Sequence, residues 1–94
     1  MQFLVVNWDG TDAGAPARRL AVREAHLEAA RKRAESGMLI CGGALLDDGG
    51  EMIGSACVVE VASRAELDEW LATDPYVTGN VWQKTEITPF RRAV

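Results

Sequence analysis

The chain contains a single histidine, and it lies among arginines: His26 closes the run Arg19-Leu-Ala-Val-Arg23-Glu-Ala-His26. In a helix, at about 100° per residue, positions 19, 23, 26 and 30 share one stripe. Arg19, Arg23, His26 and Ala30 then lie on the shoulder of an apolar line, Leu20, Leu27 and Ala34. Packing by the apolar line would aim two guanidinium groups and an imidazole at the rim of whatever the helix covers. An imidazole takes up and releases protons near neutral pH. Arg23, one turn before His26, favours its neutral, proton-accepting form. Planar guanidinium forks suit a carboxylate or phenolate oxygen. The plain alternatives are solvated helix charges for Arg19 and Arg23, and a packed or solvated ring for His26.

Asp74 is the candidate partner of His26. Followed by Pro75, it makes a good N-cap for a short helical turn. A carboxylate there could also orient an imidazole and stabilise its cation. Its two oxygens allow both roles at once. Tyr76 follows and is expected near the cleft. Ser55 lies mid-strand beside Gly54 and, in the expected hairpin register, opposite Gly42, where missing side chains leave room for a ligand atom. Serine, histidine and aspartate together suggest a hydrolase, but no nucleophile elbow or oxyanion-hole pattern accompanies them. Ser55 therefore reads either as a hydrogen-bond donor to a ligand or as a satisfied strand serine. Gly42-Gly43 falls within a strand rather than before a helix, which removes a phosphate-loop reading.

Ninety-four residues suit one small domain, 1–94, with a thin margin of self-burial. Hydrophobic residues nevertheless make up 48% of the chain. That excess is expected to face a partner, most simply a second copy. A net charge of −4 argues against nucleic acid. The basic residues between Arg18 and Arg33 are a local exception, suited to a small anion or to intrachain pairing. Two cysteines without a C-x-x-C spacing, and one histidine, do not make a familiar zinc site. No metal or cofactor is expected. The opening residues are too short and polar for a signal peptide or membrane span, so the expectation is a cytoplasmic protein with reduced thiols.

The elements that must position these groups follow from patterning. Gln2 to Trp8 is apolar on both alternations, which predicts a central strand covered on both faces. Asp9 to Pro16 is loop. Good helix formers run from about Ala17 to Ser36, and Gly37 supplies the stop. Met38–Leu46 and Glu51–Val61 are strands around Asp47-Asp-Gly-Gly50, a hairpin signal. The expected register sets Gly42 opposite Ser55, Cys41 opposite Ala56 and Cys57 opposite Ile40. The thiols then point to opposite sides of the sheet, and no disulfide forms. Ser63-Arg-Ala-Glu66 is a capping box opening a second helix with Leu67, Trp70 and Leu71 inward. Val81–Thr88 is the last strand. This βαββαβ order predicts a ferredoxin-like α+β fold with a four-stranded antiparallel sheet, order 4-1-3-2, and both helices on one face. The other face is left bare, which again points to a homodimer.

Several of these pieces together resemble the YciI-like family, within the dimeric α/β-barrel group. They are the opening hydrophobic strand, Arg19-Leu-x-Val-Arg23-x-x-His26-Leu, Gly37-x-Leu39 leading to Gly42, Gly54-Ser55, Asp74-Pro-Tyr76 and Thr88-Pro-Phe90. One departure is Gly43, where the family usually has proline. The resemblance implies a dimeric α/β barrel in which His26 is the active-site histidine and Asp74 its acidic partner. It also implies a small-molecule ligand, since one relative is a dehydrochlorinase of a chlorinated hydroxyquinol. Three functions stay open: a cofactor-independent enzyme moving protons by a His26–Asp74 dyad on a small anionic or aromatic substrate, a non-catalytic metabolite-binding module, and a structural interaction domain.

Overall fold

The computed structural model describes residues 1–94. In chain order the elements are β1 (Gln2–Asp9), α1 (Ala15–Glu35), β2 (Leu39–Leu46), β3 (Met52–Glu60), α2 (Arg64–Thr73), α3 (Pro75–Thr78) and β4 (Trp82–Pro89). The strands form one sheet, ordered β2-β3-β1-β4, and every neighbouring pair is antiparallel. This is the expected ferredoxin-like α+β arrangement, including the strand order. No helix is long and apolar enough to cross a membrane.

The alternation of β1 shows which face carries the helices. Phe3, Val5 and Asn7 are buried, whereas Leu4 and Val6 are only half-buried and Trp8 is exposed. The expected cover on both faces of β1 is therefore present on one face only within this chain. Phe3 and Val5 join Val59, Val61, Leu67 and Trp70 in the core, with Met38, Leu39, Cys57, Leu71 and Ile87 packed around them. Phe3 pairs with Val59, and Val5 with Cys57, so the core sits over β1 and β3, the two central strands.

Helix α1 is rotated relative to expectation. Leu20 is 65% exposed and Ala34 faces solvent, while Ala15 and Arg19 are the buried residues of the helix. Arg23, His26, Leu27, Ala30 and Arg33 continue the inward stripe as half-buried side chains. The charged shoulder, joined by Leu27 alone of the apolar line, thus faces the fold, because buried acceptors lie beneath it. The helix ends as anticipated: Gly37 takes φ +83, the left-handed conformation in which a Cβ is costly.

The β2–β3 hairpin has a different register from the one expected. Gly42 pairs with Cys57, Cys41 with Val58 and Ala44 with Ser55. Two irregularities cause the change. At the turn, Gly50 N–H donates to the Asp47 carbonyl and Gly50 takes φ +84, so the loop holds three residues rather than two or four. Asp47 Oδ1 also accepts from the N–H groups of Gly49 and Glu51. A further shift follows between Leu45 and Leu46. The thiols still point to opposite sides of the sheet, and both are free. The second helix opens on its cap: Ser63 Oγ accepts from Glu66 N–H, and Glu66 Oε2 accepts from Ala62 N–H, one residue earlier than the usual box.

Glycines in the sheet differ in what surrounds them. A Cβ at Gly54 would run into the carbonyl of Asn7 on the neighbouring strand, whereas one at Gly43 would meet nothing within 4 Å. Gly54→Ala should lower the unfolding free energy by about 2 kcal/mol, and Gly43→Ala should leave it within about 0.5 kcal/mol. Urea midpoints of the two variants measure this; equal midpoints would contradict it.

Candidate functional site

A cavity of about 200 Å³ lies between the inward stripe of α1, the Asp74–Tyr76 corner and the floor of β2 and β3. This is smaller than the pockets of about 300–1,000 Å³ that hold drug-sized ligands, and suits a single small ring. Each of the candidate residues Arg19, Arg23, His26, Gly42, Ser55, Asp74 and Tyr76 lines it.

His26 Nδ1 lies 2.8 Å from Asp74 Oδ1. An ionised carboxylate only accepts, so Nδ1 carries the hydrogen and Nε2 of a neutral ring presents the free lone pair. The imidazole is held in plane by stacking on Tyr76, with ring centroids 3.8 Å apart and an interplanar angle of 15°. Trp82 closes it from the edge at 5.5 Å.

Asp74 is fully buried at the junction of α2 and α3. Its capping role is as expected: Oδ1 accepts from Tyr76 N–H at 2.9 Å. The division of its oxygens is not. Oδ1 serves both the cap and His26, while Oδ2 accepts from Arg33 Nη1 at 3.0 Å. Arg33 in turn stacks over Trp70, 4.7 Å from the ring centroid.

Arg19 and Arg23 have separate fates. Arg19 Nη1 donates to both oxygens of Asp9, at 3.0 and 3.1 Å, and Nη2 donates to Ser55 Oγ at 3.0 Å. Both side chains of that ion pair are 5% exposed. Its guanidinium also lies 4.6 Å over the Tyr76 ring. Arg19 is therefore a wall with its charge already matched, rather than the open anion holder anticipated as one of its roles. Arg23 lines the same cavity, half-buried, and makes no hydrogen bond or ion pair within the chain.

Ser55 Oγ accepts twice, from Arg19 Nη2 and from Trp82 Nε1 at 3.2 Å. With two donors aimed at the oxygen, its own hydrogen is left for a third group, and the hydroxyl lines the cavity. It is placed to donate to a bound acceptor. Gly42 borders the cavity opposite Cys57, not opposite Ser55, and a Cβ there would sit 3.1 Å from Cys57 Cβ.

Burial shifts three further groups. It pushes the Cys57 thiol up to about 12, with the Asp74 charge adding to the effect, so the thiol stays protonated and is a poor nucleophile. Burial likewise raises the Tyr76 phenol, against the pull of Arg19 and Arg23, so it stays neutral. Burial lowers Arg33, while Asp74 works against this. No three His, Cys, Asp or Glu side chains converge as metal ligands would.

Four residues of the site were not read from the sequence: Asp9, Asn7, Arg33 and Trp82. Arg33 had a signal, since it lies two turns after His26 on the same helical face. Asp9 had one as well, because it extends the inward alternation of Phe3, Val5 and Asn7. Asn7 pairs its Oδ1 with Thr85 Oγ1, and its Nδ2, like Arg19 Nε, is buried without a partner. Trp82 depends on the β1–β4 register, which slips between Trp8 and Asp9.

A family model described as the YCII-related domain matches residues 1–91. Comparison with curated proteins finds no match. Among solved structures, the chain is similar to 5-chloro-2-hydroxyhydroquinone dehydrochlorinase (TftG) from Burkholderia phenoliruptrix AC1100, solved in complex with 2,5-dihydroxybenzoquinone. That match has a TM-score of 0.85 at 22% identity and covers 99% of this chain and 96% of that one. A conserved protein from Methanosarcina mazei Go1 matches with a TM-score of 0.60 at 13% identity, covering 99% and 94%. An antibiotic biosynthesis monooxygenase matches with a TM-score of 0.54 at 15% identity, covering all of both chains. At these identities the likeness is one of fold.

Two outcomes test the geometry. Arg19→Ala strands the buried Asp9 carboxylate and should cost about 3 kcal/mol of stability; a denaturation midpoint near that of the wild type would show that Asp9 does not depend on Arg19. In a Cys41→Ser variant, the Cys57 thiol should resist iodoacetamide at pH 8 in the native protein and react after denaturation. Rapid native labelling would contradict its burial.

Proposed function

This chain belongs to the YCII-related family, and from that premise we propose that it is a cofactor-independent enzyme that moves a proton on a small anionic or aromatic substrate. The observation that carries the reading is the 2.8 Å His26–Asp74 hydrogen bond at the edge of a small cavity. His26 Nε2 takes a proton from a substrate C–H or O–H. The electron pair left behind collects on a substrate oxygen, held by the unpaired guanidinium of Arg23 and the free hydrogen of Ser55. Asp74 accepts from Nδ1–H throughout and steadies the imidazolium. The proton then returns to another substrate atom, or a leaving group departs with its bonding electrons. Isomerisation, elimination and lactone chemistry all fit this sequence. The elimination catalysed by the structurally similar dehydrochlorinase is one of them.

The cavity's uncommitted groups favour the substrate class. Three guanidinium groups, Arg19, Arg23 and Arg33, are set against the carboxylates of Asp9 and Asp74. One positive charge is left over, on Arg23. Leu27, Leu39, Met52 and Trp82 add apolar lining suited to a flat ring. We further read the chain as one domain that pairs with a second copy through the bare sheet face, where Leu4, Val6 and Val58 are only half-buried. A monomer mass by light scattering at micromolar concentration would remove that part. A cytoplasmic address fits the two free thiols.

A thermal-shift screen of hydroxyquinones, phenols and small ring carboxylates tests the reading, followed by turnover assays on each binder. His26→Gln should fold and lower turnover by about 10²–10⁴-fold, while Arg23→Ala should weaken binding at least about tenfold. Binding by the wild type with no turnover of any binder would favour the metabolite-binding module instead. No binder from any of these classes would overturn both.

A further inference from the structure

The buried carboxylate of Asp74 serves two side-chain donors at once. His26 takes Oδ1 and Arg33 takes Oδ2, at 2.8 and 3.0 Å. Asp74 is wholly buried, and its side-chain oxygens accept from His26, Arg33 and the Tyr76 N–H. In a simple aspartate–histidine pair, the imidazolium is the only counter-ion the carboxylate has. Here a permanent guanidinium already matches its single negative charge.

We infer that Arg33 is a positioning residue that sets how strongly Asp74 can support a positive charge on His26. Its place is fixed by both ends: the guanidinium binds Asp74 and stacks on Trp70. Two turns of α1 separate it from His26, so both reach the same carboxylate from one helix face.

Among the charged and titratable groups around His26, Arg33 is the one that shares Asp74 with it. From α1 come Arg19, Arg23 and Arg33. The α2–α3 corner adds Asp74 and Tyr76, β1 adds Asp9 and β3 adds Cys57, while β4 contributes the uncharged Trp82. Tyr76 and Cys57 are held neutral by burial. Asp9 is taken up by Arg19. Asp74 is thus the one negative charge that His26 touches, and Arg33 is its competitor. Without Arg33 the carboxylate would act for the imidazolium alone. With it, His26 gains orientation from Asp74 but less charge stabilisation, so a proton once taken up is more readily released.

The consequence for turnover rests on the proposed role of His26, but the measurement does not. Because the chain has one histidine, its ring resonances can be titrated by NMR in the intact protein without a substrate. Arg33→Gln should move the His26 titration midpoint up by about one pH unit relative to wild type. Arg33→Met, which keeps an apolar stem over Trp70, should do the same. Arg33→Lys retains the charge and should titrate close to wild type. A folded Gln or Met variant with the wild-type midpoint would overturn the inference and leave Arg33 a structural residue. So would a Lys variant that moves as far as Gln. If the midpoints move as expected while no substrate is found, the inference stands and the enzymatic reading fails separately.

Discussion

Two buried carboxylates govern this fold. Asp74 has no exposure, and the Asp9 side chain has 5%. An ionised carboxylate removed from water costs several kcal/mol unless cations and N–H donors replace its hydration. The nearest supply is α1, and the helix turns accordingly. Arg19 and Arg33 meet Asp9 and Asp74, and His26 falls between them on the same stripe. The cost of that rotation is Leu20, left 65% exposed. Burying a leucine stabilises by about 2 kcal/mol, whereas breaking one buried ion pair costs about 3–5 kcal/mol. The magnitudes decide the rotation in favour of the charges.

The same arrangement makes a rigid site. Asp74 is held through Tyr76 N–H and Arg33, and its position in turn sets the His26 ring. Tyr76 stacks beneath that ring, and Arg19 lies over Tyr76. Asp9 and Ser55 hold Arg19, and Trp82 donates to Ser55. Each polar side chain in this chain of contacts restrains the next. Among the groups left free are the Nε2 lone pair, the Ser55 hydrogen, the Asn7 Nδ2 amide and the Arg23 guanidinium. Those are the groups a ligand would meet, and they are of the kinds that take a proton and hold an oxygen anion.

Much of the fold was legible from the sequence because its signals are local. Gly37 at the end of α1, Ser63 at the start of α2 and Asp74 before Pro75 each act through their own neighbours, and each does what its type predicts. The hairpin was readable as a hairpin, but its register was not. One left-handed residue, Gly50, sets the loop length, and a further irregularity at Leu45–Leu46 shifts the pairing. Local composition gives a turn signal without stating how many residues the turn will hold. That is why Gly42 was expected opposite Ser55 and instead lies opposite Cys57.

The residues of the candidate site divide in the same way. Linear order alone determined that His26, Arg19 and Arg23 share a helix stripe, and that Asp74 caps a turn, since helical period and capping are properties of a few consecutive residues. Which stripe faces inward, and therefore that Arg19 is spent on Asp9, that Arg33 shares Asp74 and that Arg23 is left unmatched, was decided only by the tertiary structure. Those outcomes depend on distances between segments far apart in the chain. The energy of a buried charge is set by what surrounds it, and no single segment contains that information.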